Sequence, residues 1–332
     1  MKFLLATLIL LLAAPLRAET PRVVADIAPV HGIVAEVMEG VGSPDLLLSP
    51  GVSPHHVTLR PSQARAMQKA DLVVWIGPAL TPWLEKALES LRRGEQIALL
   101  ELPGTIVLPF RDHDDDAQDR EHGEEHRHAQ GHGDDHAQGA ARPLAHDHDQ
   151  DRENDHGHDH AGGPDPHAWL DPRNAALWAG AIAERLSRID PTNADRYRAN
   201  ARTFADRMHA LEDEIAARLA DTGPYLAYHD AFQYFETRFG LKLAGVIAAG
   251  DAADPGAAHL SALRRHLAEK GVACAFREPQ LDPRLMQAAL EGLDLRIGVL
   301  DPLGRDLEPG PGFYDSLLRN LAAGFAQCRP GS

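Results

Sequence analysis

Outside a histidine-rich segment in the middle of the chain, histidines that could bind a metal ion occur at three well-separated places. His55 and His56 lie in a turn bounded by proline and glycine, SPGVSPHHVTLRPS, and His167 lies in GGPDPHAWLDP. His229 stands at the end of the predicted strand PYLAYHD. Three imidazoles with one carboxylate or water form a suitable four-coordinate shell for Zn²⁺. These residue types therefore predict a zinc site.

Acidic side chains at the ends of predicted strands could complete such a shell. Asp230 follows His229 directly, Glu278 ends GVACAFRE, and Asp301 ends LRIGVLD. Ligands of open α/β sheets bind beyond the carboxyl ends of the strands, which is where these residues lie. A set dominated by imidazole nitrogen favours zinc over manganese, which prefers oxygen, and is also compatible with copper or nickel.

A long acidic segment between Arg111 and Gly163 contains 11 of the 19 histidines. They are His113, His122, His126, His128, His132, His136, His146, His148, His156, His158 and His160. Large apolar residues are almost absent, so the segment is predicted to be a disordered loop rather than part of a core. We expect weak, multi-site zinc binding there, because a flexible chain loses conformational entropy when it coordinates a metal.

The net charge of −16 argues against nucleic acid as a partner and favours attraction of cations. Most of this charge lies in the histidine-rich segment, where 16 acidic residues stand against 5 arginines between Arg111 and Gly162. The folded part of the chain is therefore only mildly acidic.

Residues 1–18 read as a secretory signal, because a positively charged start, an apolar stretch and a small residue follow one another. We expect cleavage near Ala18 and a soluble exported protein that begins near Glu19. No other segment reaches the roughly 20 apolar residues that span a bilayer. In an oxidising compartment the two cysteines, Cys274 and Cys328, are predicted to form a disulfide.

Short β-rich runs alternate with helical patterns on both sides of the predicted loop, which indicates βα units around mainly parallel sheets. The predicted strands cover residues 22–28, 45–48, 71–77, 96–102, 224–230, 241–247, 271–278 and 295–301. The predicted helices cover 31–40, 62–70, 81–93, 173–188, 191–220, 231–239, 257–270, 283–292 and 313–328. Asp190 as N-cap and Pro191 at the first helical position are expected to open the longest helix, which we interpret as a strut.

The predicted fold class is therefore α/β, with two lobes of mainly parallel sheets joined by one long rigid helix. The predicted bounds are 19–189 for the first lobe with its loop at 111–163, 190–222 for the linking helix and 223–332 for the second lobe.

Six segments occur in an order and spacing that resemble the zinc-specific solute-binding proteins of ABC importers. They are GVSPHHVTLRPS, ADLVVWIGP, DPHAWLDP, YHDAFQYFETRFGL, FREPQ and VLDPLG, and an acidic histidine-rich loop belongs to the same pattern. The resemblance covers nearly the whole mature chain. It implies a periplasmic, monomeric, non-enzymatic protein that clamps zinc in the cleft between its lobes. It implies delivery to an importer permease with its ATPase, and periplasmic zinc chaperones are a further expected partner.

Carried over by position, the resemblance implies His55, His167 and His229 as zinc ligands, and Asp301 matches a fourth ligand of some members. His229 stands where manganese-binding relatives have Glu, which favours the zinc subgroup. The positions of the two cysteines match a disulfide of similar zinc binders.

Two departures from the family pattern limit this transfer. Pro54 replaces a Glu that precedes the first ligand in some relatives. The fourth zinc ligand would therefore be Asp301 or water. His56 replaces a more usual polar or acidic residue and is a secondary candidate for the role of His55. Glu278 is the other secondary candidate, interpreted as a hinge or supporting group rather than a ligand.

Three alternatives remain open at this point. The chain could be a stand-alone periplasmic zinc chaperone, or a manganese or iron carrier of the same architecture. It could also be a zinc hydrolase with Glu278 or Asp230 as general base, although no HExxH motif occurs.

Overall fold

The computed structural model describes residues 20–55, 57–91, 93–111, 163–248 and 256–329. The predicted signal, His56 and the eleven loop histidines lie outside these residues. Within the described ranges, no helix combines the length and the apolar character that crossing a membrane requires.

The first parallel sheet is built from the chain before residue 108. Its strands are β1 (Val23–Ala25), β2 (Asp45–Leu46), β3 (Leu72–Trp75) and β4 (Glu95–Ala98), in the order β2-β1-β3-β4. The connecting helices are α1 (Ala28–Val37), α2 (Pro61–Lys69) and α3 (Pro82–Leu91). All residues of β1 and β3 are buried. Their nearly continuous apolar sequence is typical of parallel strands that are covered on both faces.

The second parallel sheet repeats this strand order in the last third of the chain. Its strands are β5 (Tyr225–His229), β6 (Leu243–Ala248), β7 (Cys274–Arg277) and β8 (Arg296–Val299), in the order β6-β5-β7-β8. Its helices, numbered after the two that join the sheets, are α6 (Gln233–Phe239), α7 (Ala257–Lys270), α8 (Pro283–Ala289) and α9 (Phe313–Phe325). The prediction of an α/β fold with two parallel sheets is confirmed.

The described residues between the two sheets in sequence form two α-helices, α4 (Pro172–Ile189) and α5 (Ala194–Leu219). The 26 residues of α5 make it roughly 39 Å long at 1.5 Å per residue. Its buried side chains recur every three or four positions, which turns one apolar face towards the core. They are Tyr197, Ala201, Phe204, Met208, Leu211, Ile215 and Leu219. The predicted long helix is present.

The start of this helix differs from the prediction. Pro191–Asn193 form a 3₁₀ turn, and α5 begins only at Ala194. The carboxylate of Asp190 accepts hydrogen bonds from the side chains of Asn193 (2.6 Å) and Tyr197 (3.0 Å). The Asp190 side chain accepts no backbone amide of the turn that follows, so it does not cap the helix as the sequence suggested.

One continuous apolar core runs through both sheets and through α1, α4, α5 and α9. Gly32 of α1 allows the first and last helices to approach, since a Cβ there would lie 3.0 Å from Phe313 Cδ1. The described residues of 20–108 and 164–329 accordingly form one compact unit. The predicted domain bounds within that unit stay predictions.

An ionic cluster joins three of the core helices. Arg207 of α5 contacts the Glu36 carboxylate of α1 at 2.8 Å and the Asp315 carboxylate of α9 at 3.3 Å. Glu36 also accepts the backbone N–H of Gly312 at 2.6 Å and is only 5% exposed. The cluster ties the first sheet's helix to the last helix of the chain.

Cys274, the first residue of β7, forms a disulfide with Cys328 after α9, as predicted. The bond spans 54 positions of sequence. It therefore links the end of the described chain to the middle of the second sheet.

Replacing both cysteines with alanine should lower the free energy of unfolding by about 4 kcal/mol, because the unfolded chain loses a cross-link. Chemical denaturation of the double variant and of the oxidised wild type measures this difference. A thiol reductant serves as control, since it should destabilise the wild type and leave the double variant unchanged. Equal stability of the two proteins would contradict the prediction.

Candidate metal centre

Three of the histidines predicted as ligands converge from separate parts of the chain. One ring nitrogen from each of His55, His167 and His229 lies within 4.8 Å of the other two. The ring centroids are 5.7 Å apart for His55 and His167, and 5.4 Å apart for His167 and His229. Among the described residues, no other group of three His, Cys, Asp or Glu side chains forms such a cluster.

His229 is positioned by the second sheet. It is the last residue of β5, and Glu278 directly follows the neighbouring strand β7, so both side chains emerge at one edge of the sheet. Nδ1 of His229 lies 2.6 Å from Oε1 of Glu278, and both residues are buried. Because a carboxylate only accepts hydrogen bonds, a neutral imidazole donates Nδ1–H and presents Nε2 to a metal.

His167 has a carboxylate partner of its own. Its Nδ1 lies 2.7 Å from Oδ1 of Asp165, which also accepts the backbone N–H of His167 at 2.9 Å. Asp165 is 0% exposed, and its carbonyl accepts the hydroxyl of Tyr234 at 2.7 Å. Sequence reasoning missed this residue, although the spacing in the motif DPH, two positions before His167, could have indicated it.

The segment around His167 is anchored to the second half of the chain. The ring centroid of Trp169 lies 5.2 Å from that of His167, and its indole N–H donates to the carbonyl of Pro302 at 2.8 Å. The hydroxyl of Tyr314 donates to the carbonyl of Trp169. His167 is thus held in the same frame as His229.

His55 is the least enclosed member of the cluster. It is half-buried, whereas His167 and His229 are 3% and 5% exposed. The loop that carries it is held from α3, where the indole of Trp83 donates to the carbonyl of Pro54 at 2.9 Å. The loop is thus anchored to α3. The imidazole of His55 is the most exposed of the three.

Asp301 lies outside the three-histidine cluster in this structure. Its carboxylate accepts the side-chain amide of Gln280 at 2.7 Å and three backbone N–H groups, those of Leu303, Gly304 and Arg305, at 2.6 to 3.1 Å. These bonds stabilise the turn that follows β8. Its prediction as fourth ligand stays a prediction.

The three imidazoles line a small cavity of about 20 Å³. Its lining residues are Ser53, Pro54, His55, His167, Trp169, His229, Glu278, Gln280, Leu281, Pro302 and Leu303. The wall is mostly apolar apart from the histidines, Glu278, Gln280 and Ser53. Such a lining limits solvent access and strengthens electrostatic interactions with a bound cation.

Two buried ionisable groups, Asp26 and His31, lie beside the strands of the first sheet. Burial raises the pKa of Asp26 to about 7, although its carboxylate accepts backbone N–H groups from Ile27 and Ile76. Burial also lowers the pKa of His31, whose Nε2 lies 3.1 Å from the carbonyl of Pro44. Neither side chain belongs to the histidine cluster, so both are assigned to the support of the sheet.

Comparison with known proteins assigns the chain to a family. The model of a family described as ZnuA, the periplasmic component A of a zinc-uptake complex, matches residues 23–328. The high-affinity zinc uptake system protein ZnuA of Paracoccus denitrificans is 47% identical over 320 residues, covering 95% of this chain and 94% of its own. The chain belongs to the ZnuA family. The ZnuA of Yersinia pestis is 34% identical over 322 residues, or 96% of this chain and 94% of that protein.

Solved structures share the ZnuA fold at low sequence identity. A crystal structure of ZnuA is 21% identical, with a TM-score of 0.71 over 94% of this chain and 100% of that one. A zinc-bound deletion mutant of ZnuA is 20% identical, with a TM-score of 0.70 over 95% and 100% of the two chains. The Ni²⁺ complex of the solute-binding protein FpvC from P. aeruginosa is 17% identical, with a TM-score of 0.70 over 94% and 97%.

Replacing Asp165 with asparagine should raise the dissociation constant for zinc roughly 10- to 100-fold while keeping one site per chain, because the imidazole loses its charged partner. Glu278→Gln should act in the same way at His229. Competition titration with a chromophoric chelator measures both effects.

The matched control is Asp190→Asn, which alters a carboxylate that is equally buried but contacts Asn193 and Tyr197 instead of a histidine. Its zinc affinity should equal that of the wild type. Unchanged affinity in Asp165→Asn and Glu278→Gln would show that the carboxylates do not support the ligands.

Proposed function

We propose that this protein captures one zinc ion in the periplasm and delivers it to the permease of an ABC importer. The observation that carries the proposal is the convergence of His55, His167 and His229, two of them backed by buried carboxylates. Membership of a family of zinc-uptake components supports the same function. Zinc is the cargo of such a protein and not a cofactor for a reaction.

The donor set suits zinc. Tetrahedral coordination at Zn–N distances of about 2.0 to 2.1 Å places the ligand nitrogens roughly 3.4 Å apart. The three imidazole nitrogens lie within 4.8 Å of one another, so modest side-chain movements would complete the shell. Three nitrogen ligands without a carboxylate among them disfavour manganese, which binds preferentially to oxygen.

The charge balance also suits a divalent cation. Three neutral imidazoles leave both positive charges of Zn²⁺ uncompensated in a largely buried place, which is costly at low dielectric. Asp165 and Glu278 stand directly behind two of the ligands and together supply two negative charges. The ion can therefore be buried without a net charge.

We propose that water completes the coordination shell. Asp301, the alternative, has both carboxylate oxygens engaged in hydrogen bonds to the turn after β8. Recruiting it as a ligand would break bonds that shape the wall of the cavity. Water requires no such rearrangement.

The three ligands are anchored to different extents, and this difference is the basis of the proposed zinc delivery. His167 and His229 are buried in one frame, whereas His55 belongs to a loop anchored from α3. We propose that zinc binding brings the His55 loop onto the other two ligands, and that the closed surface docks on the permease. The ATPase of the importer then drives transport. Periplasmic zinc chaperones are proposed donors, and the protein is proposed to act as a monomer.

The proposal includes the processing and division of the chain. A signal peptide at 1–18 is removed near Ala18, and the mature chain comprises lobes at 19–189 and 223–332 with a linking helix at 190–222. The insertion at 111–163 is proposed to collect zinc or to sense its abundance.

The alternatives receive less support. Structures of the same fold hold Ni²⁺ or Mn²⁺, but the imidazole set here favours zinc. A stand-alone zinc chaperone is disfavoured because the family is a component of an uptake complex. A zinc hydrolase is disfavoured because the family is a component of zinc uptake, and because Glu278, one of the two candidate bases beside Asp230, is bonded to His229.

Single substitutions His55→Ala, His167→Ala and His229→Ala should each weaken zinc binding by about 100-fold or more, beyond the effect of losing an outer carboxylate, because a coordinating nitrogen is removed. Chelator competition, with excess Mn²⁺ present, measures the affinity and the selectivity.

His209→Ala is the matched control, since His209 is an exposed histidine of α5. It should bind zinc as the wild type does. Tight binding that survives all three cluster substitutions would show that the cluster is not the main site.

Deletion of residues 111–162 should leave one tight zinc site and abolish the additional weak sites, because the tight ligands lie in the compact unit outside the insertion. Isothermal titration calorimetry separates the two classes by their stoichiometry. Loss of the tight site on deletion would contradict the assignment of separate roles.

A further inference from the structure

Gln280 lines the same cavity as the three histidines, and its side-chain orientation is determined by Asp301. The two side chains form a hydrogen bond of 2.7 Å between Nε2 of Gln280 and Oδ1 of Asp301. A carboxylate accepts hydrogen bonds and cannot donate them, so the amide nitrogen must face Asp301. The amide oxygen of Gln280 consequently points to the other side.

That oxygen is buried, and no group in the described part of the chain lies within hydrogen-bonding reach of it. A buried acceptor without a donor is costly, and an ordered water or an ion bound at the site would satisfy it. Several other oxygen acceptors in the wall are engaged. Glu278 faces His229, and the carbonyls of Pro54 and Pro302 each accept an indole N–H.

We propose that Gln280 is a positioning residue that accepts a hydrogen bond from the water completing the zinc shell. The inference rests on the proposed three-histidine site. Zinc polarises a bound water and makes it a strong donor, which the unsatisfied Oε1 can accept. Direct coordination by this oxygen is disfavoured, because zinc sites in proteins use imidazole, thiolate and carboxylate.

The proposal assigns Asp301 a role through Gln280 rather than at the metal. The carboxylate of Asp301 holds the amide nitrogen of Gln280, and the amide oxygen holds the water. The same carboxylate accepts backbone N–H groups of the turn that carries Leu303, another lining residue. An aspartate at this position therefore influences zinc affinity without contacting the ion.

An amide is suited to a carrier because it does not take up the proton of the zinc-bound water. A carboxylate in the same place could act as a general base and generate a nucleophilic hydroxide. Gln280 orients the water and leaves it neutral. The fourth position then stays occupied by an exchangeable molecule that a ligand of the next binding site can replace.

The test compares the wild type with Gln280→Leu, Gln280→Glu and Asp301→Asn, using zinc competition titrations and the visible spectrum of the Co²⁺-loaded proteins. Gln280→Leu should weaken zinc binding about 10-fold, as expected for loss of an outer-shell partner. Gln280→Glu keeps an acceptor but loses the amide donor to Asp301, so its zinc affinity should lie between those of Gln280→Leu and the wild type. Azide should shift the Co²⁺ bands of the wild type by replacing the water, and should do so at lower concentration in Gln280→Leu.

The double variant Gln280→Leu/Asp301→Asn identifies the route by which Asp301 acts. If Asp301 works through Gln280, the double variant binds zinc no more weakly than Gln280→Leu alone. The inference is overturned if Gln280→Leu binds zinc like the wild type, if azide leaves the wild-type spectrum unchanged, or if only Asp301→Asn weakens binding.

If the proposed function is wrong, the zinc titrations give a different result. In that case the wild type lacks a tight zinc site, or keeps it after His167→Ala and His229→Ala. A tight, histidine-dependent site that is insensitive to Gln280→Leu overturns only the role of Gln280.

Discussion

The hydrogen bonds between buried carboxylates and the imidazoles of His167 and His229 are the interactions on which the rest of the site depends. A dication can be enclosed by neutral ligands only if negative charge lies close behind them, and a ring can present one chosen nitrogen only if the other is bonded. Asp165 and Glu278 satisfy both requirements. They need no direct contact with the ion, so the innermost shell can consist of imidazole nitrogen.

The frame that positions these pairs leaves little room for large movements. One continuous core includes α1, α4, α5 and α9, and the ionic cluster around Arg207 joins three of these helices. Wide hinge opening would expose apolar surface and break those bonds together. The loop of His55 is only partly buried and has fewer contacts with the core. The opening step of the proposed transport cycle is therefore expected to be local to that loop.

The sequence predicted most of the fold, because valine-rich strands alternating with helical patterns leave few arrangements other than parallel sheets. It also indicated the three histidines as candidate ligands, from their residue type and from the family resemblance, whereas placement at a strand end applied to His229 alone. It did not predict the partner of His167, and it left open whether Asp301 is a ligand. Whether an aspartate points into a cleft or binds nearby backbone amides depends on the dihedral angles of a few residues, which periodicity does not report. The 3₁₀ turn before α5 was not predicted either, because it also depends on the dihedral angles of a few residues.

The backbone N–H of Asp165 donates to the carbonyl of Leu108 at 2.8 Å, so residues 57 positions apart in sequence are adjacent in space. The compact unit thereby closes without the insertion between them. The free-energy cost of closing a chain loop grows slowly with its length, by roughly 0.6 kcal/mol for each doubling. Natural variation in this insertion, including gain and loss of histidines, is consequently almost neutral for folding. The histidine content of this segment can therefore vary in evolution while the residues of the three-histidine cluster stay the same.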